Sequence, residues 1–191
     1  MEIGKTLYVT NRKAWRSWLS KHHRTANDIW LIYYKKGSGK ERIPYNDAVE
    51  EALCFGWIDS LTKPRDGESW LQRFTPRRKK SPLSEMNKER VRRLMKAGKM
   101  RRFGLESIRH HMETRSGKSA RLKKFVLPDD ILLALKENPV TWKNFAKFPE
   151  SYKRIRVGWI DGARKRPEIL AQRLRYFMKM TAKNKKFGMV Q

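Results

Sequence analysis

Ile29-Trp30-Leu31-Ile32-Tyr33-Tyr34 is a continuous apolar run of β formers, too short for a buried helix. It predicts a central strand covered on both faces and ended by the loop Gly37-Ser38-Gly39. Upstream, Leu7 to Thr10 reads as a short strand. Thr10 or Asn11 then caps a helix in which Trp15, Trp18 and Leu19 share one face at i, i+3, i+4. Downstream, Pro44 suits the first turn of a helix whose buried stripe is Ala48, Val49, Ala52, Leu53 and Gly56. Ile58 to Lys63 and Glu68 to Thr75, separated by the turn Pro64-Arg65-Asp66-Gly67, predict a β-hairpin. In its second strand Trp70, Gln72 and Phe74 share one face, and Leu71, Arg73 and Thr75 the other.

Beyond this point the periods turn helical. A helix starting between Ser81 and Ser84 shows Leu83, Asn87, Val91 and Leu94/Met95 on one side, and a shorter one follows near Phe103 to His111. Glu113 to Lys124 has no core pattern. Pro128 to Glu137, Pro139 to Phe148, Ser151 to Arg164 and Pro167 to about Lys183 each open with proline or a serine cap and read as helices. In the last of them Leu170, Leu174, Phe177 and Met178 face inward. The expectation is an α+β fold, with a small mixed sheet and packed helices in the N-terminal portion and an all-helical C-terminal portion. The expected boundaries are a domain at 1–112, a linker at 113–127 and a helical unit at 128–191.

The charge is uneven. Of 191 residues, 46 are Lys or Arg and 19 are Asp or Glu, a formal net charge of +27. Residues 1–72 carry a net +3, residues 73–103 a net +11 and residues 104–191 a net +13, so the surplus begins at Arg73. Such a field attracts polyanions: nucleic acid, anionic lipid headgroups or an acidic protein. Two basic rows stand out at helical spacing: Lys88, Arg92, Lys96 and Lys99, and Arg175, Lys179 and Lys183. Together they form the candidate polyanion face.

Catalytic and metal signatures are sparse. Cys54 is the one cysteine, so no internal disulfide or Cys-rich zinc site can form, and nearby Glu50 and Glu51 oppose an activated thiol. The four histidines come as the adjacent pairs His22-His23 and His110-His111, which a helix projects about 100° apart rather than onto one face. Tyr34-Lys35-Lys36-Gly37-Ser38-Gly39-Lys40 orders strand, glycines and lysine like a phosphate loop, but the glycine spacing is wrong and Glu41 follows the lysine. No metal, cofactor or catalytic residue is expected. No apolar run reaches the ~18–20 residues of a membrane span and the start lacks a signal-peptide core, so the expectation is a cytoplasmic protein. Gly56-Trp57-Ile58-Asp59 recurs as Gly158-Trp159-Ile160-Asp161, but one copy ends a helix and the other lies inside one, so coincidence is the reading. One constellation remains. Antiparallel pairing of the hairpin should bring Asp59, with Trp57, near Gln72, Arg73 and Arg77, where a carboxylate could orient a guanidinium toward an anion or form a structural ion pair.

Several blocks together resemble the bacteriocin-protection, YdeI/OmpD-associated family. They are Leu7-Tyr8-Val9-Thr10-Asn11-Arg12 with Trp15 and Trp18, Trp30-Leu31 with Tyr34 to Lys40, Tyr45 to Asp59, Gln72-Arg73-Phe74-Thr75-Pro76-Arg77, and Asn87 to Val91 with Gly98, Met100 and Gly104. Ser151-Tyr152-Lys153-Arg154, Trp159-Ile160 and Arg166-Pro167-Glu168 complete the likeness, which runs along nearly the whole chain. The resemblance implies a fold but brings no catalytic residue or cofactor, and the family name suggests a porin contact. Three functions follow as expectations: a non-enzymatic stress- or defence-related protein binding an anionic partner, a sequence-independent nucleic-acid binder, and a small-anion binder or enzyme at Asp59, Arg73 and Arg77.

Overall fold

The computed structural model describes residues 2–79, 81–113 and 121–188. The chain divides into two compact units, Met1–Ser81 with Arg90–Met112, and Pro82–Glu89 with Glu113–Gln191. In chain order the first unit holds β1 (Thr6–Leu7), α1 (Arg12–His22), β2 (Ile29–Tyr34), α2 (Tyr45–Cys54), β3 (Trp57–Pro64) and β4 (Ser69–Pro76). Helix α3 (Glu85–Lys96) follows, then α4 (Arg102–Ser107) and a 3₁₀ turn at Arg109–His111; another 3₁₀ turn, Lys36–Ser38, follows β2. The helix expected near Phe103 to His111 is therefore shorter, and the first strand is Thr6–Leu7 rather than Leu7 to Thr10.

Sheet order is β1-β2-β4-β3, with β1 parallel to β2 and the other neighbours antiparallel, so the sheet is mixed. Strand β2 lies inside it and is buried from Ile29 to Tyr33. Its period of two places Ile29, Leu31 and Tyr33 beside Phe74, Gln72 and Trp70 of β4, on the face that α1 and α2 cover. There the Trp15 ring lies 5.4 Å from Phe74, its Nε1 donates to the Ala48 carbonyl at 3.0 Å, and Trp18 meets Trp57 edge-on at 5.7 Å. The opposite face buries Trp30, Ile32 and Leu71, with Tyr34 packed against them. Trp15, Trp30, Trp57, Tyr33 and Phe74 are all fully buried, and each such ring contributes roughly 2–3 kcal/mol relative to exposure.

Two glycines set how α2 passes into the sheet. Gly56 takes φ +77° and turns the chain from helix into β3, a conformation that side chains with a Cβ rarely adopt. Gly104 of α4 sits against the last carbonyls of α2, where an added Cβ would lie 2.7 Å from the Leu53 oxygen.

The second unit holds α5 (Asp129–Glu137), α6 (Pro139–Lys147), α7 (Glu150–Asp161) and α8 (Pro167–Ala182), and no described residue from 128 to 183 lies in a strand. Its core is Ile131, Leu135, Phe145, Phe148, Tyr152, Val157, Ile160 and Phe177, with Leu170, Leu174 and Met178 partly buried against it. Asn138 caps α6 by accepting from the Thr141 amide at 2.9 Å, and Pro139 follows at the first helical position. Asn144 donates to the carbonyls of Thr181 and Ala182 at 3.0 and 3.1 Å, which satisfies the end of α8. Two-residue strands, β5 (Met112–Glu113) and β6 (Arg121–Leu122), flank residues 114–120. Residues 114–120 of the expected linker at 113–127 thus lie outside the described residues. No helix among the described residues is long and apolar enough to cross a membrane.

Replacing Gly104 by alanine forces a methyl group into the α2 carbonyls and should cost about 1–3 kcal/mol in chemical denaturation. Gly37→Ala, with nothing within 4 Å of the added Cβ, should change the midpoint little. Equal midpoints for the two variants would contradict this packing.

Candidate functional site

The hairpin register decides what surrounds Asp59. Asp59 pairs with Phe74 and Thr62 with Gln72, so Ser60 and Leu61 bulge opposite Arg73. That extra residue keeps Asp59 on the helix-covered face with Phe74 and Gln72, while Arg73, paired with Trp30, points to the other face. Asp59 and Arg73 therefore do not meet, either as an anion site or as an ion pair. Arg73 instead donates twice to Asp28, from Nε at 2.9 Å and Nη2 at 2.6 Å. Gln72 is buried, its Nε2 spent on the Leu61 carbonyl at 3.2 Å, and the Trp57 indole donates to the His23 carbonyl at 3.1 Å. Both are structural.

Asp59 has different neighbours. The Tyr45 hydroxyl at the start of α2 donates to its Oδ2 at 2.6 Å. Burial first, and then this hydrogen bond, push the Tyr45 phenol well above its usual range. Arg77, just past β4, and Arg90 of α3 both sense the Asp59 charge, yet burial lowers both guanidiniums below their ordinary values. Arg90 also donates to Asn46 at 2.6 Å. The Tyr33 hydroxyl, buried nearby, has no hydrogen-bond partner among the described residues, and burial pushes it up as well. The arrangement satisfies one carboxylate with a phenol donor and brings the buried Arg90 and the partly buried Arg77 close to it. Sequence reasoning missed Tyr45 and Arg90, 14 residues before and 31 after Asp59, because only the packing of α2 and α3 on the sheet brings them there.

A second charged centre was also missed. Arg12 of α1 donates to Glu51 from Nε at 2.9 Å, to Asp47 from Nη1 at 3.1 Å and to Glu50 from Nη2 at 2.9 Å. Arg16 takes the other Glu51 oxygen at 2.6 Å, and Arg93 takes the second oxygen of Glu50 at 2.9 Å. Burial alone would lower Arg12 and Arg16, but the carboxylate hydrogen bonds outweigh it and hold both above their ordinary values. Burial pushes the Cys54 thiol up, so at neutral pH it is a packed, protonated side chain. Among the described residues no three His, Cys, Asp or Glu side chains gather as metal ligands.

The two basic rows fare differently. Arg175, Lys179 and Lys183 are all exposed along one side of α8 and its C-cap, and none is ion-paired among the described residues. In the other row Lys96 and Lys99 are exposed, but Lys88 and Arg92 are only partly so, and Lys88 is ion-paired to Glu85 one turn before it. Lys88 belongs to the second unit and Arg92, Lys96 and Lys99 to the first. Within the row read from the sequence, Lys96 and Lys99 are thus exposed while a local carboxylate engages Lys88.

A double-mutant cycle separates the two faces of the hairpin. Asp28→Asn with Arg73→Met should show a coupling of about 0.5–1 kcal/mol, and Asp59→Asn with Arg73→Met none beyond the ~0.3–0.5 kcal/mol expected of independent sites. Coupling between Asp59 and Arg73 above that level would overturn the register.

Residues 7–107, just over half of the chain, match the family described as a domain of unknown function (DUF8412). Residues 124–184 match the family described as bacteriocin-protection, YdeI or OmpD-associated. The likeness to the latter, read along nearly the whole sequence, is thus shown for the C-terminal segment, while the blocks from Leu7 to Gly104 fall within the former. No curated protein and no solved structure matches the chain.

Proposed function

We propose, starting from a chain that belongs to the family of that domain of unknown function and carries a bacteriocin-protection, YdeI or OmpD-associated segment at residues 124–184, that it is a non-enzymatic binding protein for nucleic acid. It holds the phosphate backbone without reading sequence, in a stress- or defence-related role to which the words bacteriocin-protection in the second family description lend support. The observation that carries this reading is the row on α8. Arg175, Lys179 and Lys183 recur at i, i+4, i+8 on the exposed side, while Phe177 and Thr181 on the same helix are fully buried. At 1.5 Å rise per residue the row is about 12 Å long, a length over which duplex DNA presents about seven charges. The helix dipole accounts for Lys179 and Lys183 near the C-terminus, but not for Arg175 two turns earlier. Nothing in the geometry favours a small-anion site shared by Asp59, Arg73 and Arg77, since Arg73 lies on the other face of the sheet.

Affinity for a short duplex should fall linearly with salt on logarithmic axes. The double variant Arg175→Gln/Lys179→Gln should lower affinity at low salt and reduce the slope by about one per residue, while Lys21→Gln on α1 should leave both unchanged. If the double variant and Lys21→Gln bind alike, the α8 row is not the interface. Competition by polyglutamate as effective as that of DNA would move the partner from nucleic acid to an acidic protein.

A further inference from the structure

Lys13 stands in the first turn of α1, where the helix dipole disfavours a positive charge, and has no ion pair among the described residues. It lines an open recess of about 430 Å³ in the first unit, together with Arg12, Arg16, Glu51, Lys99 and Arg101. Among the described residues that line it, the only carboxylate is already spent: one Glu51 oxygen accepts from Arg12 and the other from Arg16. Arg12 is in turn held by Asp47 and Glu50, so its charge is answered. Lys13, Lys99 and Arg101 are exposed, and none of them is ion-paired among the described residues.

These three cations reach the recess from separate elements, and the fold fixes each. Arg16 Nη2 donates to the Lys99 carbonyl at 3.1 Å, tying the turn after α3 to α1. That turn is closed by the Gly98 amide on the Met95 carbonyl and the Lys99 amide on the Leu94 carbonyl, at 3.1 and 2.9 Å, with Gly98 at φ +63°. The Arg101 amide donates to the Cys54 carbonyl at 3.0 Å, anchoring the start of α4 to the end of α2. Three cations without carboxylate partners, held around one recess on anchored backbone, are the complement of a compact, multiply charged anion.

We infer that this recess binds a phosphoryl-bearing anion of the pyrophosphate class, with Lys13, Lys99 and Arg101 as its ligands and the Arg12–Glu51–Arg16 cluster as the rigid floor. Arg101 offers a planar donor pair to phosphate oxygens, and the two ammoniums act as point charges. The site lies in the first unit and is independent of the α8 row. The phosphoryl group can come from a small phosphorylated molecule or from a nucleic-acid chain.

The test is calorimetric titration of the full chain with inorganic pyrophosphate at low ionic strength, with a short duplex DNA as the second ligand. One pyrophosphate should bind per chain, and Lys13→Gln, Lys99→Gln and Arg101→Gln should each weaken it at least about fivefold. Arg175→Gln/Lys179→Gln should leave pyrophosphate binding unchanged. All three recess side chains are exposed, so unchanged thermal midpoints should accompany the loss. If duplex affinity is untouched by the recess variants, the source is a small phosphorylated molecule; if it falls in parallel, the source is a nucleic-acid backbone. Pyrophosphate binding that none of the three variants alters, or no binding at all, overturns the assignment.

Discussion

One guanidinium, that of Arg12, bonds three carboxylates of a neighbouring helix, and much of the first unit hangs on that contact. Asp47, Glu50 and Glu51 stand at i, i+3 and i+4 on α2, and the three nitrogens of Arg12 reach one oxygen of each. Glu51 is nearly buried, its side chain 4% exposed, and neutralising one partner of such a pair costs about 3–5 kcal/mol because a charge is left without water or counter-charge. Arg16 and Arg93 complete the cluster from the next turn of α1 and from α3. The same contact presses α1 and α2 together over the sheet, where Trp15 fills the space between Ala48 and Phe74.

That cluster also shapes the outer surface. The first unit turns its acids inward or pairs them locally: Asp47, Glu50 and Glu51 with the arginines of α1 and α3, Asp28 with Arg73, Asp59 with Tyr45 and Glu106 with Arg102. In the second unit Glu85, Glu89, Glu150, Asp130 and Asp161 are likewise paired with nearby Lys or Arg. With these 11 of the 19 acids committed locally and 46 bases in the chain, the cations of the α8 row and of the recess beside α1 are left facing solvent. The α8 row and the recess beside α1 are where those unanswered charges stand on ordered backbone, so both proposals rest on the same charge imbalance.

Much of the fold was legible because it rests on local periodicity. The apolar run Ile29 to Tyr34, the alternation of β4 and the proline-headed helices of the second unit all follow from side-chain spacing. The sites were less legible because their contacts are long-range. A pairing of Asp59 with Arg73 was a fair reading of two adjacent strands, but the bulge at Ser60 and Leu61 fixes which residues share a face, and no local pattern announces it. Asp28 finds Arg73 across 45 residues, and Arg16 finds the Lys99 carbonyl across 83. The row through Lys88 could have been doubted from sequence, since Glu85 stands three residues before it at ion-pairing distance on a helix.

Lysine acetylation footprinting of the full chain, with and without a short duplex DNA, distinguishes a built interface of surplus cations on α8 from a diffuse positive cloud; the interface is what the structure predicts. It requires Lys179 and Lys183 to be protected by the duplex while Lys21 on α1 reacts as before. Protection spread evenly over all exposed lysines, or none at Lys179 and Lys183, would contradict it.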